Sequence, residues 1–201
     1  SRVSTELPEA GAPIPPQKWS KLSSMTISFG HGVSVSPLQT AAASVALVNG
    51  GYYIPPTFMP RTEREAGELA RRVVRKETSD AMRSLMRLNV QKGSGRRADV
   101  PGYFVGGKTG TAEKVVNGRY SSSKRRNAFV SAFPMDDPRY LVLVLVDEPN
   151  PEKKGISATA GRNAAPTVAA IIRRIAPMLG IQPRLDEPEN AMTATAVAAI
   201  Q

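Results

Sequence analysis

Cysteine is absent from the 201 residues, which excludes disulfides, thiol nucleophiles and thiolate-bound metals. Histidine occurs once, at His31. A multi-histidine metal centre is therefore excluded too, and neither a metal nor an organic cofactor is expected. Aromatic residues make up only 5% of the chain. The densest basic runs, "ARRVVRK" at 70–76 and "SKRRN" at 123–127, interleave no aromatic side chain for stacking on bases. The formal charge of +10 therefore reads as a solubility surface, and no nucleic-acid partner is expected. No apolar run approaches the roughly 20 residues that cross a bilayer as a helix, and no signal peptide is visible. The chain opens "SRVSTELPEA", without methionine. We expect a processed or excised piece, with any membrane anchor outside it.

What is present suffices for one core, with 41% of residues hydrophobic. Residues 1–24 carry Pro8, Pro13, Pro15 and Pro16 and read as irregular chain. "SPLQTAAASVALVNGG" (36–51) predicts a helix. Ser36 caps it, Pro37 suits its first position and Gln39 completes a capping box. Leu38, Ala41, Ala42, Val45 and Val48 form its apolar stripe, and Gly50 and Gly51 stop it. Residues 70–76 read as a short strand. A second helix is expected from about Ser79 to Gln91, with Met82, Leu85, Met86 and Leu88 or Asn89 inward. Residues 92–102 read as a polar, glycine-rich loop.

Three strand signals follow, at 103–109, 127–134 and 140–147. The last two are close enough to form an antiparallel hairpin, and Asn117-Gly118 marks a tight turn in the connection from the first. A last helix is expected over 163–179, with Val168, Ile171, Ile172 and Ile175 inward and Pro177 and Gly180 at its end. Residues 1–182 then make one unit, and 183–201 read as a mobile tail. Helices, then an antiparallel meander, then a helix give an α+β class rather than alternating βαβ. Trp19, Met82, Met86 and Met178 read as packing residues. His31 reads as a histidine satisfying local backbone.

The stretch "VPGYFVGGKTGTAEKVVNGRY" (100–120) carries the chemistry. Gly102 to Thr109 fits G-x-x-x-x-G-K-[ST], the phosphate-cradling P-loop. Lys108-Thr109-Gly110 also fits the K-T-G triplet of serine acyl-transfer enzymes. A P-loop leaves a buried strand and enters a helix at its lysine. Here "SGRRADVP" precedes the motif, Tyr103, Phe104 and Val105 prefer strands, and Gly110 follows Thr109. Nucleotide binding stays as the lesser alternative. On the K-T-G reading, Lys108 supplies positive charge to a cleft, and Thr109 and Thr111 donate to a substrate carboxylate. Gly110 lets a peptide lie close against the strand, and the Thr111 amide aims at a developing oxyanion.

Three separated stretches, "ISFGHGVSVSPLQTAAASVALVNGG", "VPGYFVGGKTGTAEKV" and "NAFVSAFPMDDPRYLVLVLVDEP", occur in this order. Together they resemble the C-terminal half of the transpeptidase domain of class B penicillin-binding proteins. The resemblance covers residues 20–182, and "SFGHG" and "VPGY" favour the cell-division branch. It implies a serine D,D-transpeptidase fold, a β-lactamase-like antiparallel sheet flanked by helices. It implies cross-linking of peptidoglycan: a serine attacks the D-Ala-D-Ala bond of a stem peptide, an amine resolves the acyl-enzyme, and β-lactams acylate the same serine. By this resemblance Lys108, Thr109, Gly110 and Thr111 are the third active-site motif. Lys108 and Thr111 act in catalysis, and all four bind stem peptide or β-lactam. The loop 112–126 and Tyr120 lie beside the cleft. The implied partners are peptidoglycan stem peptides, β-lactams, the division glycosyltransferase and other divisome proteins. The implied location is the periplasmic face of the bacterial inner membrane.

Two motifs of that family are missing. The one Ser-x-x-Lys, Ser121 to Lys124, follows the K-T-G strand instead of preceding it, and Ser121 reads as a loop residue. No asparagine forms Ser-x-Asn. The expectation is that the nucleophile lies in an N-terminal half of the same domain, and that this chain alone is inactive. A catalytically dead sensor or scaffold module is the alternative.

Overall fold

The computed structural model describes residues 3–8, 11–116, 119–153 and 155–185. Local sequence chemistry starts each helix. Ser20 and Ser23 form a reciprocal capping box at the start of α1 (Lys21–Ile27), a helix within the stretch expected to be irregular. Ser36 accepts the Gln39 amide to open α2 (Pro37–Val48), and Pro37 fills the first position, where its missing N–H costs nothing. Thr62 and Glu65 make a second capping box for α3 (Glu63–Leu69), which the apolar pattern did not announce because the helix buries no residue. The expected strand at 70–76 shrinks to β2 (Arg71–Arg72), paired antiparallel with β1 (Tyr52–Tyr53).

Helix α4 runs Lys76–Lys92, starting earlier than expected, and its inner face differs. Ser79, Ser84, Met86, Arg87 and Val90 are buried, whereas Leu85 is exposed. Polar residues take the inner face because each has a partner there. Ser79 donates to the Leu47 carbonyl and accepts the Gly50 amide, fixing the end of α2. Arg87 binds the Asp99 carboxylate and the Val105 carbonyl. A short 3-10 turn, Arg96–Ala98, follows within the expected loop.

The sheet is a meander of β3 (Gly106–Val116), β4 (Arg119–Phe133) and β5 (Tyr140–Asp147), all antiparallel, with β4 in the middle. β3 begins at Gly106, later than the expected 103, and runs on to Val116, while β4 begins at Arg119, well before the expected 127; residues 103–105 are not strand. Residues 112–116 and 119–126, read from sequence as loop, continue both strands past a register shift between Glu113 and Lys114. Ser121 and Lys124 therefore lie in β4, not in a loop. Opposite charge holds the extension: Lys114 reaches Asp147 and Glu148, Lys124 reaches Glu148 and Arg126 reaches Asp147. The Asn117-Gly118 turn and the side chain of Tyr120 fall outside the described residues.

Helix α5 (Ala164–Met178) packs its apolar side on one face of the sheet. Val168 and Ile172 are fully buried beside Phe129, Phe133 and Val90. Burial of each such side chain contributes about 1.5–3 kcal/mol. Pro177 lies in the helix's last turn rather than after it. The opposite face meets α2 and α4 through Val48, Met86, Ala132 and Met135. Trp19 and Met178, read as packing residues, are exposed. Beyond residue 182, the Arg184 amide bonds the Gly102 carbonyl and its guanidinium pairs with Asp136 at 2.7 Å. The remainder of the expected tail, 186–201, falls outside the described residues. Among the described residues no helix is long and apolar enough to cross a membrane.

Candidate functional site

Lys108 lies inside β3, and no helix opens there. That overturns the P-loop alternative, whose lysine needs a helix N-terminus beneath the phosphate. The strand is led in by Phe104, a non-glycine residue at φ 49° whose carbonyl accepts the Met135 amide. Its ring is covered by the guanidinium groups of Arg184 and Arg87, 4.4 and 5.9 Å from the centroid. β3 has one strand neighbour, β4, so among the described residues its other edge carries no strand.

Alternation along β3 divides the motif between two faces. Gly107, Thr109 and Thr111 oppose Ser131, Phe129 and Asn127, on the side of α5. Gly106, Lys108 and Gly110 oppose Ala132, Val130 and Ala128, on the side of α2. Two of the three glycines permit close packing. A Cβ on Gly106 would stand 2.2 Å from Met135 Cε, and one on Gly107 would stand 2.5 Å from Phe129 Cε1. Gly110 differs, because a Cβ there would meet only Ala128, at 3.7 Å. Lys108 is exposed, and its Nζ donates to the Thr109 carbonyl at 2.7 Å.

Both threonines are tied to neighbouring segments. Thr109 Oγ1 shares a 2.8 Å hydrogen bond with Ser94 Oγ, and Asn89 Nδ2 donates to the Gly107 carbonyl at 2.7 Å. The C-terminal turn of α4 is thereby fastened to β3. Thr111 Oγ1 accepts the Ala160 amide at 3.2 Å. On β4, fully buried Asn127 donates to the Ala158 carbonyl and to Asn163 Oδ1. Two points thus hold the 158–163 loop beside the motif. Between that loop and the Gly93–Arg97 turn lies a cleft of about 560 Å³ whose walls include Thr109, Thr111, Arg96 and Arg162. The sequence reading named Lys108 to Thr111; it did not name Asn89, Ser94, Asn127, Arg96 and Arg162, which the fold brings beside them.

His31 lies in the connection between α1 and α2. Its amide bonds the Thr26 carbonyl and its ring lies 5.4 Å from that of Phe29. At the far end of the hairpin, hydrogen bonds from Lys114 hold the Glu148 and Asp147 carboxyls below their ordinary range. Those same bonds, Glu148 first, raise the Lys114 ammonium.

A model of the penicillin binding protein transpeptidase domain matches residues 1–173. A probable peptidoglycan D,D-transpeptidase FtsI of Caulobacter vibrioides is 42% identical, over 92% of this chain and 34% of its own. Stage V sporulation protein D of Bacillus subtilis is 37% identical, over 90% of this chain and 29% of its own. The chain thus spans about a third of the length of the curated relatives it matches. Among solved structures, the apo transpeptidase domain of Burkholderia pseudomallei penicillin-binding protein 3 superposes with a TM-score of 0.80. The two are 32% identical, over 92% of this chain and 55% of that one. The fold is that of these domains, α+β with an antiparallel sheet flanked by helices. The chain belongs to the penicillin-binding protein transpeptidase domain family.

Proposed function

We propose that the chain is the K-T-G lobe of a peptidoglycan D,D-transpeptidase acting in septal wall synthesis. One observation carries the reading: Lys108-Thr109-Gly110-Thr111 occupies a strand with an open edge beside a cationic cleft. Membership of the family supports it, as does the likeness to a relative named as an FtsI transpeptidase. An extended D-Ala-D-Ala peptide or a β-lactam lies along the open edge of β3 as an added strand. Lys108 contributes positive charge beside the reacting serine. The threonine hydroxyls orient the ligand's terminal carboxylate. The Thr111 amide donates to the carbonyl oxygen as it gains charge.

The nucleophilic serine and its activating lysine belong to a segment outside these 201 residues, as does any membrane anchor. Acylation joins the serine oxygen to the substrate carbonyl carbon and releases D-alanine. An acceptor amine then displaces the serine. The complete enzyme works on the outer side of the cytoplasmic membrane, beside the glycosyltransferase that makes its glycan substrate.

The test is labelling with a fluorescent penicillin. Full-length protein is expected to be acylated, with Lys108→Ala acylated at least about a hundredfold more slowly. The 201-residue chain alone is expected to stay unlabelled. Normal acylation of Lys108→Ala, or labelling of Ser121 in this chain, contradicts the assignment. An unlabelled full-length protein favours the sensor or scaffold.

A further inference from the structure

Phe104, four residues before Lys108, holds a backbone conformation that bulky side chains rarely adopt, at φ 49°. Such a conformation persists only where its surroundings impose it, and it gathers at sites where placement matters. The Phe104 carbonyl accepts the Met135 amide at 2.9 Å, and Met135 fills the space that a Cβ on Gly106 would take. The turn at Phe104 thus decides the direction in which β3 leaves its lead-in segment. Among the described residues β3 has a strand neighbour along one edge only, so its entry carries a larger share of its placement.

The ring of Phe104 is buried, and the two guanidinium groups over it come from different places. Arg87 belongs to α4 and lies 5.9 Å from the centroid. Arg184 lies nearer, at 4.4 Å, and belongs to the segment beyond the end of α5. A cation over an aromatic face is attracted by the ring's quadrupole, most strongly where water is kept away. Two further contacts seat residues 183–185 there. The Arg184 amide donates to the Gly102 carbonyl at 2.9 Å, and Arg184 Nη2 donates to Asp136 Oδ1 at 2.7 Å. Gly102 stands at φ 82°, and a Cβ on it would lie 2.8 Å from Pro183 Cβ, so the segment approaches as closely as a glycine allows. Asp136 adjoins Met135, and its carbonyl accepts Arg83 of α4 at 3.1 Å. Arg184 therefore spans 102–104 and 135–136, the two segments whose mutual hydrogen bond sets the entry of β3.

We infer that Arg184 is a positioning residue for the strand that carries Lys108 to Thr111, and that it acts through the ring of Phe104. Residues 183–185 are a strap laid across the entry of β3, fastened to Gly102 on one side and Asp136 on the other. That the strand takes part in acylation rests on the transpeptidase reading. The strap itself rests on the contacts of Arg184 and on the conformation of Phe104. Its effect on the reaction is indirect. It falls on the placement of Lys108 and the Thr111 amide against the reacting centre, where a small displacement is costly, and much less on the binding of ligand before reaction.

The experiment follows acylation of full-length protein across penicillin concentrations, which separates the first-order constant at saturation from the dissociation constant. Amide hydrogen exchange of residues 102–111 is measured on the same samples without penicillin, at a temperature where each variant is folded. Arg184→Gln is expected to lower the first-order constant about tenfold and to change the dissociation constant less than about twofold. It is expected to speed exchange at 102–111 and not in β5. Arg184→Met, which keeps the packing of the stem, is expected to match it and serves if the glutamine variant does not fold. Arg184→Lys, which keeps a cation over the ring, recovers most of the loss. Phe104→Leu gives a similar loss, and Arg184→Gln adds little to it in that background. Unchanged exchange at 102–111 in Arg184→Gln overturns the inference, as does a loss that lies in the dissociation constant or one that adds in full to that of Phe104→Leu. A wild type that is not acylated removes the transpeptidase reading, and exchange in the same variants then decides the strap. An acylated wild type whose rate and exchange Arg184→Gln leaves unchanged removes the strap and keeps the reading.

Discussion

Asn89, in the last turns of α4, donates its side-chain amide to the carbonyl of Gly107 at 2.7 Å, one residue before Lys108. The bond registers the helix against the strand that carries the motif. The same residue's backbone carbonyl accepts the amides of Gly93 and Gly95, so the helix end, the turn after it and β3 meet at one side chain. Asn89→Ala leaves the Gly107 carbonyl without its donor, at a cost of about 1–2 kcal/mol. A fall in Tm of roughly 2–8 °C is expected for a domain of this size. Because the released strand carries Lys108, penicillin acylation of the full-length protein is expected to slow as well. An unchanged melting curve sinks the bracing role.

Arg87 and Asp99 make a second brace. Arg87 is 2% exposed, and it binds Asp99 at 2.7 Å and the Val105 carbonyl at 2.8 Å. Removing one partner of a buried pair leaves an uncompensated charge, at a cost of about 3–5 kcal/mol. Arg87→Met strips both the Asp99 carboxylate and the Val105 carbonyl of their donor, whereas Asp99→Asn leaves Arg87 its bond to Val105, so Asp99→Asn is expected to cost at the low end of that range and Arg87→Met more. The double variant is expected to cost less than the sum of the two. Additivity in denaturant unfolding would show that the pair is not coupled.

How much of this was legible from the residues varies with the length scale of the cause. Helix α2 was readable because its cap, first proline and stop glycines lie within one segment. Lys108 and Thr109 were readable as strand from the residues just before them, whereas the strand's continuation through Thr111 was not. Nor was the face of α4. Its periodicity points Leu85 inward, but Arg87 takes the inner face through Asp99 and Val105, which lie 12 and 18 positions on. The hairpin extension failed similarly: Lys114 looks like loop until Asp147 and Glu148 are placed across the sheet from it. Helices α1 and α3 open on capping boxes at Ser20 and Thr62, yet neither helix buries a residue, so hydrophobic periodicity had nothing to detect. Arg96 and Arg162 are 66 positions apart, and only the fold brings them to one cleft.

Acid tests the contact between residues 184 and 136. Burial acts to raise the Asp136 carboxyl, but the Arg184 hydrogen bond and charge, together with the backbone amides of Asp136 and Asp137, outweigh it and leave the group below its ordinary value of 3.8. A carboxyl lowered in the folded state contributes stability above its unfolded value. That contribution disappears as pH falls through the lower folded value. The stability difference between wild type and Asp136→Asn is expected to be constant near neutral pH. It should narrow as pH drops below about 4, as followed by chemical denaturation across pH. A difference that grows on acidification contradicts the sign of the shift.

Gly107 and Gly110 lie on one strand, three residues apart, and call for opposite outcomes. At Gly107 a new Cβ stands 2.5 Å from both Phe129 Cε1 and the Val130 carbonyl oxygen. Neither neighbour yields cheaply, because Phe129 is fully buried and the oxygen is backbone in the paired strand. Gly107→Ala is therefore expected to destabilise by about 1–3 kcal/mol or more. At Gly110 the Cβ meets only the Ala128 methyl at van der Waals distance. Gly110→Ala is expected to leave stability within about 0.5 kcal/mol of wild type. Among the described residues nothing requires glycine at this position, so any requirement comes from what lies against the strand from outside them. If a peptide or β-lactam docks along β3, Gly110→Val is expected to fold normally and lose acylation in the full-length protein. Undiminished acylation of a folded Gly110→Val would mean that the ligand does not approach the strand at this residue, and the added-strand pose fails with it.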